Sequence, residues 1–217
     1  MPAPLPRGLY GMLDLPSAPA LPGAPALLPR RIYAPLFAAG VRVLQLRMKD
    51  APAALMLAVL DEVRLQRPPG ALLIVNDRLD VALAGGADGV HLGQDDLPLR
   101  AARRCCPHGF LIGVSTHNEA QVAAALADGA DYLGFGPIFA TASKRNPDPV
   151  VGVERLRAVC ASTRVPVVAI GGVTLERVPQ LVAAGAHAVA IIAAVNQAAD
   201  VRGAALAVQR QFAAGSA

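Results

Sequence analysis

Short apolar segments alternate with longer amphipathic segments along the whole chain. Strands alternating with helices predict right-handed βαβ units and a parallel sheet. Eight such units in 217 residues favour a closed (β/α)8 TIM barrel over an open sheet, so we predict one domain over residues 1–217. The predicted strands are 8–13, 41–46, 71–75, 89–92, 110–114, 132–135, 165–170 and 188–193. The predicted helices are 26–39, 52–66, 78–85, 98–104, 118–128, 152–161, 175–184 and 198–213.

Prolines mark the region around the first predicted helix. Segment 15–28 is rich in Pro and Ala, and we interpret it as a long loop between strand and helix. Pro29 suits the first turn of a helix, whereas Pro35 should kink it.

Composition narrows the class of protein. Hydrophobic residues make up 54% of the chain and charged residues 17%, which is enough apolar material for a large core. The net charge of +4 comes without a basic run or an aromatic-rich basic patch, so we expect no nucleic-acid partner. Three cysteines, two of them adjacent, indicate a reducing cytoplasm. Pro and Gly interrupt the apolar segments, so we predict no membrane span. A homo-oligomer is neither required nor excluded.

Polar residues follow the apolar runs, where the active site of a TIM barrel forms. Gln45, Arg47 and Lys49 alternate at the end of the second strand and share one face. Facing the barrel mouth, the two cations would need an anion such as phosphate. A solvated strand end is the alternative reading of the same three residues.

Two acids follow neighbouring strands. Asp77, after Asn76, and Asp96 could meet over one Mg²⁺, which is held by one or two carboxylates. Each acid could instead cap the helix that follows it. His91 is predicted to pack or to hydrogen-bond inside the barrel rather than bind a metal.

The later strands end in small and polar residues. Small residues at the ends of the fifth and sixth strands, Gly113 and Gly134 among them, are interpreted as allowing the backbone to approach a ligand closely. Thr141, Ser143 and Lys144 offer two hydroxyls and a cation. Gly171-Gly172 follows the seventh strand, where barrel loops often hold phosphate on main-chain amides.

Six ordered motifs, spread over about residues 8–197, resemble thiamine phosphate synthase. They are Gln45-Leu46-Arg47-Met48-Lys49, Asn76-Asp77, His91-Leu92-Gly93-Gln94-Asp95-Asp96, Gly113-Val114-Ser115-Thr116-His117, Gly134-Phe135-Gly136-Pro137-Ile138-Phe139 with Thr141, Ser143 and Lys144, and Ala169-Ile170-Gly171-Gly172.

The resemblance implies an enzyme that couples hydroxymethylpyrimidine diphosphate with a thiazole phosphate carboxylate, giving thiamine phosphate and diphosphate. The C–O bond breaks first, and the thiazole nitrogen captures the resulting carbocation. Mg²⁺ would be held by Asp77 and Asp96. Catalytic roles fall to Arg47, Lys49, Lys144 and Ser115. The implied substrate-binding residues are Gln45, Leu46, Arg47, Met48, Lys49, Asn76, Ser115, Thr141, Ala142, Ser143, Lys144, Gly172, Ile192 and Ala193. Among them, Gln45, Asn76 and Ser115 would contact the pyrimidine, and Thr141, Ser143, Gly172, Ile192 and Ala193 the thiazole phosphate.

Two positions depart from the family pattern. Ser143 replaces a Thr and keeps the hydroxyl, whereas Ala193 replaces a Ser and loses it. The rival readings are a thiazole tautomerase with a His at the position of His117, another phosphate-binding barrel such as an epimerase or indole-forming enzyme, and a ligand sensor without activity. Joint retention of the predicted diphosphate and metal residues favours the synthase.

Overall fold

The computed structural model describes residues 5–15, 27–141 and 148–215, and its strands close into a parallel barrel in the order of the chain. Within these residues the strands are β1 (Gly8–Asp14), β2 (Val43–Arg47), β3 (Leu72–Asn76), β4 (Gly89–Leu92), β5 (Leu111–Thr116), β6 (Tyr132–Phe135), β7 (Val167–Ala169) and β8 (Ala188–Ala190). The predicted TIM barrel and its eight strands are confirmed.

Helices connect the strands and form the outer layer. They are α1 (Leu27–Ala38), α2 (Ala53–Gln66), α3 (Leu79–Ala84), α4 (Leu99–Cys105), α5 (Glu119–Ala127), α6 (Gly152–Ser162), α7 (Val178–Ala183) after a 3-10 turn at Leu175–Arg177, α8 (Ala193–Asn196) and α9 (Val201–Ala214). None of the helices in the described part of the chain has the length and apolarity needed to cross a membrane.

The apolar residues divide into two layers. Side chains that alternate along the strands pack either against the helices or inside the barrel. The outer layer includes Leu44 and Leu46, and the inner layer includes Val43, Ile74 and Val168. Because the inner layer fills the barrel at the amino ends of the strands, the ligand space among the described residues lies toward the carboxyl ends.

Three local expectations have different outcomes. Helix α1 continues through Pro35, where we predicted a kink. The eighth strand ends at Ala190 rather than residue 193, and Ala193 begins the short helix α8, which the apolar sequence did not separate from the strand. Most of the predicted loop 15–28 lies outside the described residues.

Candidate functional site

A cavity of about 450 Å³ opens at the carboxyl ends of the strands. Predicted site residues from six of the connections line it together. They are Gln45, Arg47, Asn76, Ser115, Thr141, Gly172, Ile192 and Ala193. Closure of the barrel therefore brings together residues that are almost 150 positions apart in the chain.

Two of the three predicted polar residues of the second strand, Gln45 and Arg47, line the cavity, and Lys49 does not. Gln45 is buried at the cavity floor, and Arg47 lines the wall. Arg47 forms a short ion pair with Asp14, its register partner on β1. Sequence reasoning missed Asp14, although it follows an apolar run in the same way as the other site residues. Asp14 fixes the guanidinium at the mouth before any ligand binds.

The alternate residues of the same segment face outward. Leu46 and Met48 are buried in the layer between strands and helices. Their side chains therefore contact neither the cavity nor a molecule in it. Any part they take in substrate binding is limited to main-chain atoms. Lys49 is exposed just beyond β2.

Asp77 and Asp96 face each other and do not cap helices. The helices that follow them begin after Arg78 and Pro98, without a side-chain cap. Asp96 instead accepts a hydrogen bond from the Gly93 amide at 2.6 Å. Asp77 has a φ of 62°, a left-handed conformation uncommon outside glycine and asparagine. The bend at Asp77 ends the strand and leaves its carboxylate beside that of Asp96.

The two carboxylates of Asp77 and Asp96 repel each other, and a bound cation would relieve that repulsion. Burial and the hydrogen bond and negative charge of Asp96 raise the pKa of Asp77 to about 6, while Lys49 and Arg47 act in the opposite direction. Two adjacent carboxylates cannot both ionise without cost unless a positive ion lies between them. Oxygen ligands of this kind fit Mg²⁺, with water and phosphate oxygens completing the shell.

The fourth and fifth strands supply the polar floor. His91 is buried, with Nε2 at 2.8 Å from Ser115 Oγ and Nδ1 at 3.1 Å from the Tyr132 hydroxyl. The predicted role of His91 within the barrel is confirmed. Ser115 lines the cavity, and its carbonyl accepts a hydrogen bond from Gln94 Nε2 at 2.6 Å.

Two glycines of the fifth and sixth strands, Gly113 and Gly134, differ in what lies beside them. A Cβ at Gly113 would lie 2.0 Å from the Tyr132 ring, and a Cβ at Gly134 would lie 3.1 Å from His91 Cε1. The missing side chain of Gly113 therefore makes room for the Tyr132 ring rather than for a ligand, whereas Gly134 lines the cavity. Sequence alone cannot distinguish the two uses.

Glycines and mainly apolar residues form the opposite wall of the cavity. Gly171 and Gly172 have φ values of 85° and 63°. A Cβ at Gly172 would lie 2.4 Å from the carbonyl oxygen of Ala140, so only glycine fits here without displacement. Ile192 and Ala193 complete the wall at the start of α8.

Arg177 is a cavity residue that sequence reasoning missed. Its Nη1 donates to the Gly172 carbonyl at 2.7 Å, and its guanidinium carbon lies 4.3 Å from the centre of the Phe139 ring. Both contacts hold a cation beside the Gly171-Gly172 loop, in the cavity that Ala193 also lines. Arg177 lies within the 3-10 turn, five residues beyond Gly172, so a pattern of strand ends gave no signal for it.

His117 and Asp148 form a second polar pair on the cavity wall. His117 Nδ1 is hydrogen bonded to the Gly136 carbonyl, and Nε2 lies 3.3 Å from an Asp148 carboxylate oxygen. Asp148 was not predicted, because it falls in a polar loop with no strand pattern. Just before it, Ala142, Ser143 and Lys144 lie outside the described residues, and their roles stay predictions.

The fold and the cavity define a class. This is a (β/α)8 barrel whose strand ends offer anion-binding side chains, a pair of acids and a glycine loop of the kind that holds phosphate.

Comparisons with known proteins identify the family within that class. Residues 30–195 match the family model described as thiamine monophosphate synthase. The chain is 47% identical to a thiamine-phosphate synthase of Methanoculleus marisnigri over 181 residues, which are 83% of this chain and 86% of that protein. It is 47% identical to one of Anaeromyxobacter dehalogenans, covering 82% of this chain and 80% of that protein.

A solved structure agrees with the sequence relatives. Thiamine phosphate pyrophosphorylase from Pyrococcus furiosus superposes with a TM-score of 0.80 and 32% identity, over 96% of this chain and 98% of the other. The chain belongs to the thiamine monophosphate synthase family. The predicted family and the predicted function, thiamine-phosphate synthesis by a transferase, are confirmed.

Proposed function

We propose that this chain couples a hydroxymethylpyrimidine diphosphate to a thiazole phosphate in a Mg²⁺-dependent reaction with a dissociative first step. The observation that carries the proposal is the opposed pair Asp77 and Asp96, which lies near Arg47 and Lys49 and caps no helix. Such a pair has little structural use, because its like charges oppose folding. It is suited to holding a divalent ion beside a diphosphate.

The first chemical step breaks the C–O bond between the pyrimidine methylene carbon and the diphosphate. The bonding electrons leave with the diphosphate, and negative charge grows on its oxygens. Arg47, held by Asp14, and Lys49 stabilise that charge, and Mg²⁺ bound at Asp77 and Asp96 would add Lewis-acid stabilisation. Lys144 is proposed as a further cation at the same group.

The second step forms a C–N bond from the thiazole nitrogen lone pair to the methylene carbon. Neither step requires a general base on the enzyme. Gln45, Asn76 and Ser115 orient the pyrimidine, and Gly172, Ile192, Ala193 and Thr141 line the proposed thiazole phosphate site. Arg177 supports this assignment, because it supplies a cation where Ala193 offers no hydroxyl.

The direct test is to incubate the purified protein with both substrates, with and without Mg²⁺, and to detect thiamine phosphate and diphosphate. We expect both products in equal amounts, and their loss when a chelator removes the ion. Turnover unaffected by complete metal removal would overturn the metal role. A thiazole tautomerase would change the thiazole substrate without releasing diphosphate, so the same assay separates the two activities.

A further inference from the structure

A chain of hydrogen bonds crosses the cavity floor and joins two residues of the proposed pyrimidine site. Gln45 Nε2 donates to the Tyr10 hydroxyl at 3.0 Å, which lies 2.8 Å from the Tyr132 hydroxyl. Tyr132 is 3.1 Å from His91 Nδ1, and His91 Nε2 is 2.8 Å from Ser115 Oγ. We call these five residues the floor relay. They come from five different strands.

The relay has a direction. Gln45 offers Tyr10 an N–H, so Tyr10 accepts there and gives its own proton to Tyr132. Tyr132 then donates to His91 Nδ1, and His91 carries its proton on Nε2, from which it donates to Ser115. The reverse order would leave a buried hydroxyl proton of Tyr10 without an acceptor, which is strongly unfavourable.

Both phenols keep their protons and can therefore act as donors. Burial raises the pKa of Tyr10 and the pKa of Tyr132 above the ordinary value for tyrosine. Neutral hydroxyls have one proton each, so fixing one donor in the series fixes all the others.

Packing holds the relay in place. Tyr10 and Tyr132 are buried inside the barrel, with ring centres 5.8 Å apart, and the His91 ring centre lies 5.5 Å from that of Tyr132. The ring of Tyr132 occupies the space beside Gly113, where a Cβ would lie 2.0 Å away. The ring therefore holds the hydroxyl oxygen between Tyr10 and His91, so its proton is shared between these two partners.

We propose that the floor relay fixes the donor and acceptor pattern presented to the pyrimidine, with Tyr10, Tyr132 and His91 as positioning residues. Gln45 uses one of its two N–H groups in the relay, which fixes the orientation of the amide and leaves Oε1 as the acceptor for the pyrimidine. Ser115 accepts from His91 and presents its hydroxyl as a donor. The inference rests on the proposed function and deepens it.

This pattern selects one class of heteroaromatic ligand. An aminopyrimidine offers an exocyclic N–H to Gln45 and a ring-nitrogen lone pair to Ser115. In the lactam form of the oxopyrimidine counterpart, a carbonyl replaces the amine and the neighbouring ring nitrogen carries a proton. The oxo compound would place its carbonyl against Gln45 Oε1 and its ring N–H against the Ser115 hydroxyl proton. The relay therefore favours the amino compound, because neither of these buried pairs can form a hydrogen bond.

The test substitutes Tyr132→Phe, which removes the middle hydroxyl and keeps the ring. With thiazole phosphate saturating, kcat/KM is measured for the aminopyrimidine diphosphate and for its oxo counterpart. We expect the amino-to-oxo ratio to fall about tenfold, the factor for one lost oriented hydrogen bond. The KM for thiazole phosphate should stay unchanged.

Tyr33→Phe is the matched control. Tyr33 is equally buried, but its hydroxyl donates to Glu62 at 2.8 Å between helices α1 and α2. It should leave the amino-to-oxo ratio unchanged. If Tyr132→Phe fails to fold, Tyr10→Phe breaks the same relay and should lower the ratio similarly.

An unchanged ratio in a folded Tyr132→Phe or Tyr10→Phe protein would overturn the relay. If the wild-type protein binds both pyrimidine diphosphates but makes no product, the proposed function fails. Calorimetric affinities for the two compounds then replace kcat/KM in the same comparison. A preference for the amino compound that weakens about tenfold in the variant would still support the relay.

Discussion

The β1–β4 side of the cavity mouth carries charged side chains, whereas the β7–β8 side is formed by glycines and mainly apolar residues. Asp14, Arg47, Asp77 and Asp96 supply opposed charges on the first side. Gly171 and Gly172 bring the backbone to the second, with Arg177 as its cation. A departing diphosphate changes its charge during the reaction, but a phosphate that only anchors its substrate does not. Mobile ions and charged groups suit the first task, and fixed amides suit the second.

The largest effect is expected from Asp96→Asn on the charged side. Loss of one carboxylate should weaken Mg²⁺ binding and lower kcat by about 100-fold or more, because a metal contributes several kcal/mol of charge stabilisation. Mg²⁺ titration of steady-state rates measures the change. Asp95→Asn is the control, since Asp95 is the exposed neighbouring acid. Equal losses in both variants would contradict a metal role specific to Asp96.

Gly172→Ala should disturb the Gly171-Gly172 loop on the β7–β8 side of the cavity. The added Cβ meets the Ala140 carbonyl, and the φ of 63° is unfavourable for alanine. We expect a loss of about 2 kcal/mol in the free energy of unfolding and a raised KM for thiazole phosphate. Gly86→Ala separates the two causes, because Gly86 has a φ of 64° and open space around it. Equal destabilisation of both variants would show that backbone strain alone explains the effect.

Arg177→Gln tests whether a positive charge on the β7–β8 side contributes to binding of the thiazole phosphate. We expect the KM for thiazole phosphate to rise about tenfold, the usual size for one charged hydrogen bond, with the KM for the pyrimidine diphosphate unchanged. Arg7→Gln is the control, because Arg7 also stacks on an aromatic ring, that of Phe212. A rise in both KM values would indicate a general disturbance of the cavity instead.

The smallest effect is expected from Asp77→Asn, on the free energy of unfolding of the metal-free protein. The pKa of Asp77 is about 6 in the folded protein against an ordinary value of 3.8, so the folded state holds the proton more tightly. As pH rises from about 4 to 7, deprotonation therefore costs the folded state stability. Asp77→Asn should remove this loss and stabilise the metal-free protein at pH 7.5 by about 1 kcal/mol, allowing for partial solvent exposure.

Denaturant unfolding at pH 5 and pH 7.5 measures this gain, which should be larger at the higher pH. Asparagine tolerates the left-handed φ of Asp77, so the variant changes the charge without adding backbone strain. Added Mg²⁺ should stabilise the wild type more than the variant. A gain that is equal at both pH values would contradict the raised pKa.

Strand ends were predictable because their polar residues follow apolar runs directly. Gln45, Arg47 and Ser115 were found in this way, and all three line the cavity. Arg177 and Asp148 were missed because they lie in a turn and a loop without such a pattern. Gly113 was misread because a missing side chain does not reveal what fills its space.

The sequence by itself determined the alternation of strands and helices, the barrel and the family, because these depend on periodicity and on ordered local motifs. Tertiary structure decided whether Asp77 and Asp96 cap helices or face each other, since that depends on the left-handed bend at Asp77. It also decided the direction of the floor relay. Tyr10 and Tyr132 are 122 positions apart in the chain, and closure of the barrel brings their hydroxyls within hydrogen-bonding distance. The proton position on one hydroxyl determines that on the next because the two are in contact.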